Sequence, residues 1–556
     1  MSIIVYCECG RKIVAQDMMA GRSLKCLVCG KKVAIPTPKP GEPTEAEPPR
    51  PRSAAVADDE EEMEEEEGEE ETPETTTAEI QIPSQLAWLL GMGRRVSIQV
   101  LIPNFSGGQL AGLIFGVAAL LSLVACLIGT VSWWGQGTRE AQAELVKLQE
   151  SKLPATPDQL VASYMAPPAS VETGKAWLHA VQPLTVPAFQ SALLDLGRSG
   201  GEGYQIPPPA LPWPAQEKAE KLLAQHPTAL EELYAVARLG GAVCYPVNPS
   251  DLVAAQPSHL GALDLGCRLL ALDAHVRARR QDAAGAAQSL HAMLAMACSL
   301  RYEPAVKSQA ARAGFASLAY HVLVQLLPAV QFSSQDLHLL RQDLRALDYE
   351  GGLYRGLLGE EVAKIAIFQG TVPSAGIPKE LEAVGHLLGV KREGDLAFYL
   401  QQMQLFVTAS RQAWPLAIKE AHRIEEEAQA TLNRSALASH RFAVSGCLVP
   451  ATRKAFDATG CWIALRGAAD AAIAIELFRR EAGRLPRGLQ EMTPRYLSQL
   501  PRDPFDGATL RYVIQPDRCL IYSVGANGVD DGGRTGPPGS DETTWPDAGL
   551  ALPVKP

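Results

Sequence analysis

Four cysteines near the start of the chain have the spacing of a metal site. Cys7 and Cys9 form a C-x-C pair, Cys26 and Cys29 a C-x-x-C pair, and sixteen residues separate the two. Gly10 and Gly30 each directly follow a pair, and glycine lets the backbone amides turn toward sulfur. Four thiolates in this arrangement can close a tetrahedral site, and zinc is the ion that such a donor set favours. Redox chemistry is the rival use of paired thiols, but no βαβ pattern surrounds these. We therefore expect one structural zinc on Cys7, Cys9, Cys26 and Cys29, in a small β module over residues 1–36.

Other residues of reactive type are less organised. Gly197-Arg-Ser-Gly-Gly201 matches the G-x-S-x-G elbow of serine hydrolases, which needs a strand before it and a helix after it. Here a helical pattern precedes and a proline-rich stretch follows, so a loop is expected. The ten histidines fall between His179 and His440 without a paired-ligand spacing, and no phosphate-binding loop is present. No catalytic residue is assigned and no organic cofactor is expected. Near the C-terminus, Asn527, Asp530, Asp531 and Asp541 stand in a glycine-rich loop that offers oxygen ligands of the kind calcium takes. The same composition also suits a surface turn, where Gly, Asn and Asp tolerate positive φ. Both readings stay open.

The elements that must carry these groups follow from composition. A chain of 556 residues exceeds a single core, so several domains are expected. Twelve of the fourteen residues from Asp58 to Glu71 are acidic, and removing those charges from the net −11 leaves +1. No basic face for nucleic acid is implied. Residues 37–85, rich in Pro, Glu and Thr, read as a disordered acidic tether, and 86–109 as a juxtamembrane segment. From Val96 to Thr138 no charged residue occurs. Within that stretch, Leu110 to Trp134 matches the length of a bilayer's hydrocarbon core, ~30 Å, and closes on Trp133-Trp134. This predicts one transmembrane helix, with Gly112 and Gly116 as a small-residue pair for homodimer packing. Arginines and lysines flank both ends, so the charge rule alone does not orient it.

Residues 154–450 read as a helical body, a bundle or a solenoid-like stack. Leu260, Leu263, Cys267, Leu270 and Ala274 recur at helical spacing, as do Ala283, Ala287, Leu290, Leu294 and Ala297 after a polar link. Ala311, Phe315, Leu318 and Val322 continue the pattern. After Ser333-Ser334, Leu337, Leu340, Leu344 and Leu347 repeat it once more. Beyond Arg480 the texture changes to Pro and Gly punctuation, then two β-rich runs, TLRYVIQ and CLIYSVG, which read as a hairpin. The fold class expected is multi-domain and mainly α, with a β module in front and an α+β module over 455–547.

Two resemblances add to this reading. The first cysteine segment resembles a bacterial zinc ribbon. The C-terminal segment resembles the soluble part of the type II secretion major pseudopilin, on Phe478, Gly483 to Pro486, Pro501 to Phe505 and Tyr522 to Gly528 taken in that order. In a pseudopilin the hydrophobic helix runs directly into this module, whereas here the apolar segment lies more than three hundred residues upstream. The resemblance implies a small α+β domain outside the cytoplasmic membrane, and a calcium loop in which Asn527 and Asp541 match acidic positions. Reduced thiols belong in the cytosol. The expected topology is thus a single span in a bacterial inner membrane, N-terminus inside and body outside. In that compartment Cys447 and Cys461 are available to pair. The function expected is a non-catalytic scaffold binding proteins of the envelope, in type II secretion-like machinery. Transmembrane signalling through the zinc module, and an envelope hydrolase with a non-local site, are the alternatives.

Overall fold

The computed structural model describes residues 2–6, 12–16, 23–25, 32–34, 75–81, 97–103, 107–165, 170–197, 206–246, 257–369, 393–536 and 546–554. They divide into two units, Met1–Phe115 and Gly116–Pro556. The first is a set of antiparallel strand pairs. Strand β1 (Ser2–Tyr6) pairs with β2 (Lys12–Gln16) up to Tyr6↔Lys12, and β3 (Ser23–Lys25) with β4 (Lys32–Ala34) up to Lys25↔Lys32. A third pair joins β5 (Thr75–Gln81) to β6 (Ser97–Pro103) over seven residues each. Strand β5 lies inside the stretch expected to be tether, so that expectation is corrected over residues 75–81. The run TTTAEIQ is rich in β-branched side chains, and it finds a partner in SIQVLIP across an intervening segment that sequence patterning did not connect. The acidic run itself lies outside the described residues.

The second unit is mainly helical. Its longest elements are α1 (Gly107–Glu150), which begins in the first unit, and α15 (Ala443–Ala482). Between them come α2 (Pro157–Tyr164), α3 (Val171–Val181), α4 (Pro187–Gly197), α5 (Gln216–Gln225) and α6 (Pro227–Leu239). The chain continues through α7 (His259–Arg279), α8 (Ala283–Ser299), α9 (Val306–Leu326), α10 (Ser334–Ala346) and α11 (Tyr349–Phe368). Helices α12 (Glu393–Ala409), α13 (Leu416–Leu432) and α14 (Ala436–Arg441) lead into α15. The four periodic runs of the sequence fall on α7 to α10, and Leu263, Cys267, Leu270 and Ala274 are buried as their spacing requires. Local signals fix the helix ends. Ser333 and Asp336 form a reciprocal capping box at the start of α10, with Asp336 N donating to Ser333 Oγ at 3.0 Å and Ser333 N to Asp336 Oδ2 at 3.1 Å. Helix α15 stops at Gly483, whose φ of +71° is the left-handed conformation that glycine adopts most readily.

Two large cores organise this unit. One runs from Trp177 on α3 through α7, α8 and α9 to Leu552; the other joins Ala141 and Leu148 of α1 to Leu400, Phe406, Ile424 and Phe456. Helix α15 belongs to both, contributing Phe456 to the second and Cys461, Leu465 and Ile473 to the first. The boundary expected between residues 450 and 455 therefore falls inside an unbroken helix of 40 residues. The C-terminal β-rich runs form β7 (Arg511–Ile514) and β8 (Arg518–Ser523), and β9 (Ala548–Pro553) extends the hairpin to a sheet of order β7-β8-β9. Cys519, Ile521, Leu550 and Leu552 of this sheet lie in the same core as α7 and α9. The pairing allowed for Cys447 and Cys461 is excluded by α15. Fourteen residues along one helix separate them by about 21 Å, whereas a disulfide needs Cα atoms within about 7 Å, and neither cysteine is in a disulfide.

Candidate functional site

Two features of this fold bear on function, an apolar helix and a cleft at the C-terminal motifs. Every described side chain from Gly116 to Cys126 on α1 is exposed, which covers the helix all round for three turns. Leu121 is 63% and Ile128 65% exposed. Past Gly135 the same helix becomes one-sided: Gly137, Ala141, Glu144 and Leu148 are buried at 3–4 spacing. At Gly137 an added Cβ would lie 3.0 Å from Gly394 N, so glycine lets α1 and α12 touch backbone to backbone. Thr138 donates to the Glu393 carboxylate, Gln401 Nε2 donates to Glu144 at 3.2 Å, and Arg441 lies 3.4 Å from Glu140. The exposed apolar turns thus continue a helix whose other half is fixed in the body. Among the described residues no helix is long and apolar enough to cross a membrane.

The cleft forms where the C-terminal motifs meet α13. Asp503, from the Pro-Arg-Asp-Pro-Phe turn, is completely buried and joins the two motifs. Its Oδ1 accepts from Phe505 N at 2.9 Å and Ser523 Oγ at 2.7 Å. Its Oδ2 accepts from Val524 N at 3.0 Å and Arg511 Nη1 at 2.6 Å. This holds Phe505 beside the turn Gly525–Gly528. An added Cβ on Gly460 of α15 would lie 2.8 Å from Phe505 and 2.9 Å from Ile418, so the missing side chain makes the notch in which both sit. The result is a cavity of about 330 Å³ between α13 and that turn, with Phe505 and Ile418 on its wall and Lys419, His422, Arg423, Glu426 and Asn527 around it.

His422 is oriented from behind. Its Nε2 lies 2.8 Å from Asp457 Oδ1, and since a carboxylate only accepts, Nε2 is the donor in that contact; Arg453 Nη1 lies 3.4 Å from the same nitrogen. Arg453 pairs with the same Asp457 and reaches Glu425 at 2.5 Å, which fixes the aspartate. A histidine so held can accept a proton or a hydrogen bond from a ligand. The lining offers no serine, threonine or cysteine beside it. Sequence reading missed this pair, because His422 and Asp457 lie on different helices and their spacing carries no signal.

The loop weighed as a calcium site is tied up by its own hydrogen bonds. Asn527 Nδ2 donates to Asp531 Oδ2 at 2.8 Å, and Asp530 Oδ1 accepts from Gly532 N at 3.0 Å and Tyr522 OH at 3.1 Å. Burial, and then Asp530, push the Tyr522 phenol up to about 12. Asp547, fully buried, accepts from Asp531 N at 3.2 Å, Gly533 N at 2.8 Å and Arg534 N at 2.9 Å. Its only sequence signal is a lone acid ahead of the last apolar run. Asp541 lies outside the described residues, as do Cys7, Cys9, Cys26 and Cys29; those four fall in sequence between β1 and β2 and between β3 and β4. Among the described residues no three His, Cys, Asp or Glu side chains are grouped to hold a metal. Comparison with family models, curated proteins and solved structures finds no match to this chain.

Proposed function

We propose that this chain is a single-pass protein of a bacterial inner membrane whose helical body binds other envelope proteins without catalysing a reaction. The observation that carries the reading is the exposed apolar half of α1. In water, apolar side chains exposed on every face of three consecutive helical turns are unfavourable, by about 25 cal/mol for each Å². Hydrocarbon removes that cost. The sequence extends the apolar run from Leu110 to Trp134, which is enough to span. Residues 1–36 are a cytosolic zinc ribbon on Cys7, Cys9, Cys26 and Cys29, with each cysteine pair between two paired strands. The cleft beside His422 is one surface through which the body engages a partner, and the pseudopilin-like motifs that build it favour a partner in secretion-like machinery. A calcium ion held by Asn527, Asp530, Asp531 and Asp541 would brace the neighbouring loop.

Protease shaving of spheroplasts, with single-cysteine labelling at positions after Arg139, tests the topology. The proposal expects those positions to react from outside and residues 1–36 to be protected. Protection of the body, or recovery of the intact chain without membrane, refutes it.

A further inference from the structure

Arg312 on α9 is completely buried, yet among the described residues no carboxylate pairs with it. Its Nη1 donates to Gln309 Oε1 at 2.8 Å and to Asp348 O at 3.0 Å, while Nε and Nη2 have no partner among the described residues. A guanidinium does not lose its proton in a protein, so burial cannot be relieved by neutralisation. The nearby acids are already committed. Asp348 lies 3.2 Å from Arg355 and 3.5 Å from Arg301, and Glu350 lies 3.2 Å from Arg466. Three arginines thus take up these two carboxylates, and Arg312 stands beside them as a fourth cation. The start of α11, just after Asp348, adds the positive end of a helix dipole. The Tyr349 ring under Arg312, 5.2 Å from ring centroid to guanidinium carbon, offsets part of this charge.

A second observation lies one turn away. Ser308 is also completely buried, and its hydroxyl has no partner among the described residues. Positions 308 and 312 are four apart and share a face of α9. Opposite, Gly352 of α11 lacks a Cβ that would come within 2.5 Å of Gln309 Oε1 and 2.8 Å of Arg312 Nη1. Two kinds of unserved donor on one helical face, in a locally cationic interior, call for an acceptor with negative charge.

We propose that the α9–α11 interface holds one small monovalent anion of chloride size, bound by Arg312 Nε and Nη2 and by the Ser308 hydroxyl. The test uses the full chain in detergent. Thermal unfolding is followed in sodium chloride and in sodium gluconate at equal ionic strength, and retained ³⁶Cl⁻ is counted after equilibrium dialysis. The expected result is one chloride per chain and a melting temperature that rises with chloride. Ser308→Ala weakens chloride affinity on the order of tenfold, the loss of one hydrogen bond to a charged group. Arg312→Met abolishes retention. If Arg312→Met fails to fold, the wild-type count and the Ser308→Ala shift decide. Equal melting in both salts with no retained chloride overturns the proposal and leaves the donors to water. So does retention that Ser308→Ala leaves unchanged, which places the ion elsewhere.

Discussion

Glu361 on α11 gives the most direct test of how this core is balanced. Its side chain is fully buried; Gln404 Nε2 donates to Oε1 at 2.6 Å, and Oε2 has no partner among the described residues. Burial raises its ionisation from 4.5 to about 7, and the Gln404 bond opposes this only in part. The folded chain therefore holds a proton between those limits that the unfolded chain has released. Stability falls as pH rises through that window and levels off above it. At ~1.4 kcal/mol for each tenfold change, the loss amounts to about 3 kcal/mol. Glu361→Gln keeps the shape and removes the charge. The variant should match the wild type near pH 4 and exceed it by up to about 3 kcal/mol at pH 8. Buried histidines act the other way: burial, then Arg279, lowers His275 to about 3, so its contribution is lost as pH falls below 6.5. The wild-type profile is a sum of such terms, and the difference between wild type and Glu361→Gln isolates one of them. Chemical denaturation from pH 4 to 8 measures it. A difference that stays flat across the window refutes the reasoning.

Four further outcomes are expected. Gly460→Ala drives a methyl into Phe505 and Ile418 and should cost about 1–3 kcal/mol, with ¹⁹F signals of fluorophenylalanine showing Phe505 displaced. Asp503→Ala leaves Phe505 N, Ser523 Oγ and Val524 N without this acceptor, while Arg511 keeps Asp506, and should cost about 3–5 kcal/mol by denaturant titration; a loss below about 1 kcal/mol removes Asp503 as the joint between the motifs. Metal analysis of the full chain should find one zinc, and Cys26→Ser should lose it. Calcium should raise the melting temperature of the full chain in the roughly 10⁻⁴–10⁻³ M range, an effect that Asp531→Ala abolishes; an unchanged midpoint leaves the loop as a hydrogen-bonded turn. The full chain is required, because a fragment starting at residue 455 would cut α15.

The helices of the body were legible because their chemistry is local. The apolar spacing of α7 to α10 and the caps at Ser333 and Gly483 each fix an element within a few residues. What depends on distant pairing was not legible. Strand β5 needs β6, and β9 needs β8 across a long loop. The boundary expected between residues 450 and 455 falls within α15, which carries Pro450 in its first turns. At the cleft, Asp503 and Phe505 stood out by their motif. Asp457, Gly460 and His422 did not, since a histidine held by an acid on another helix leaves no trace in sequence order.

Helix α15 also sets how the body responds to pulling. Its 40 residues extend for about 60 Å, with one end packed in the core that receives α1 and the other in the core that holds the C-terminal sheet. A load applied along α1 and resisted at the sheet passes through this rod, whose backbone hydrogen bonds lie parallel to it, and through α11, which places Tyr349 in one core and Leu353 in the other. Shear along that direction loads both cores together rather than one after the other, and so couples the C-terminal sheet to the end of α1 that is packed in the body.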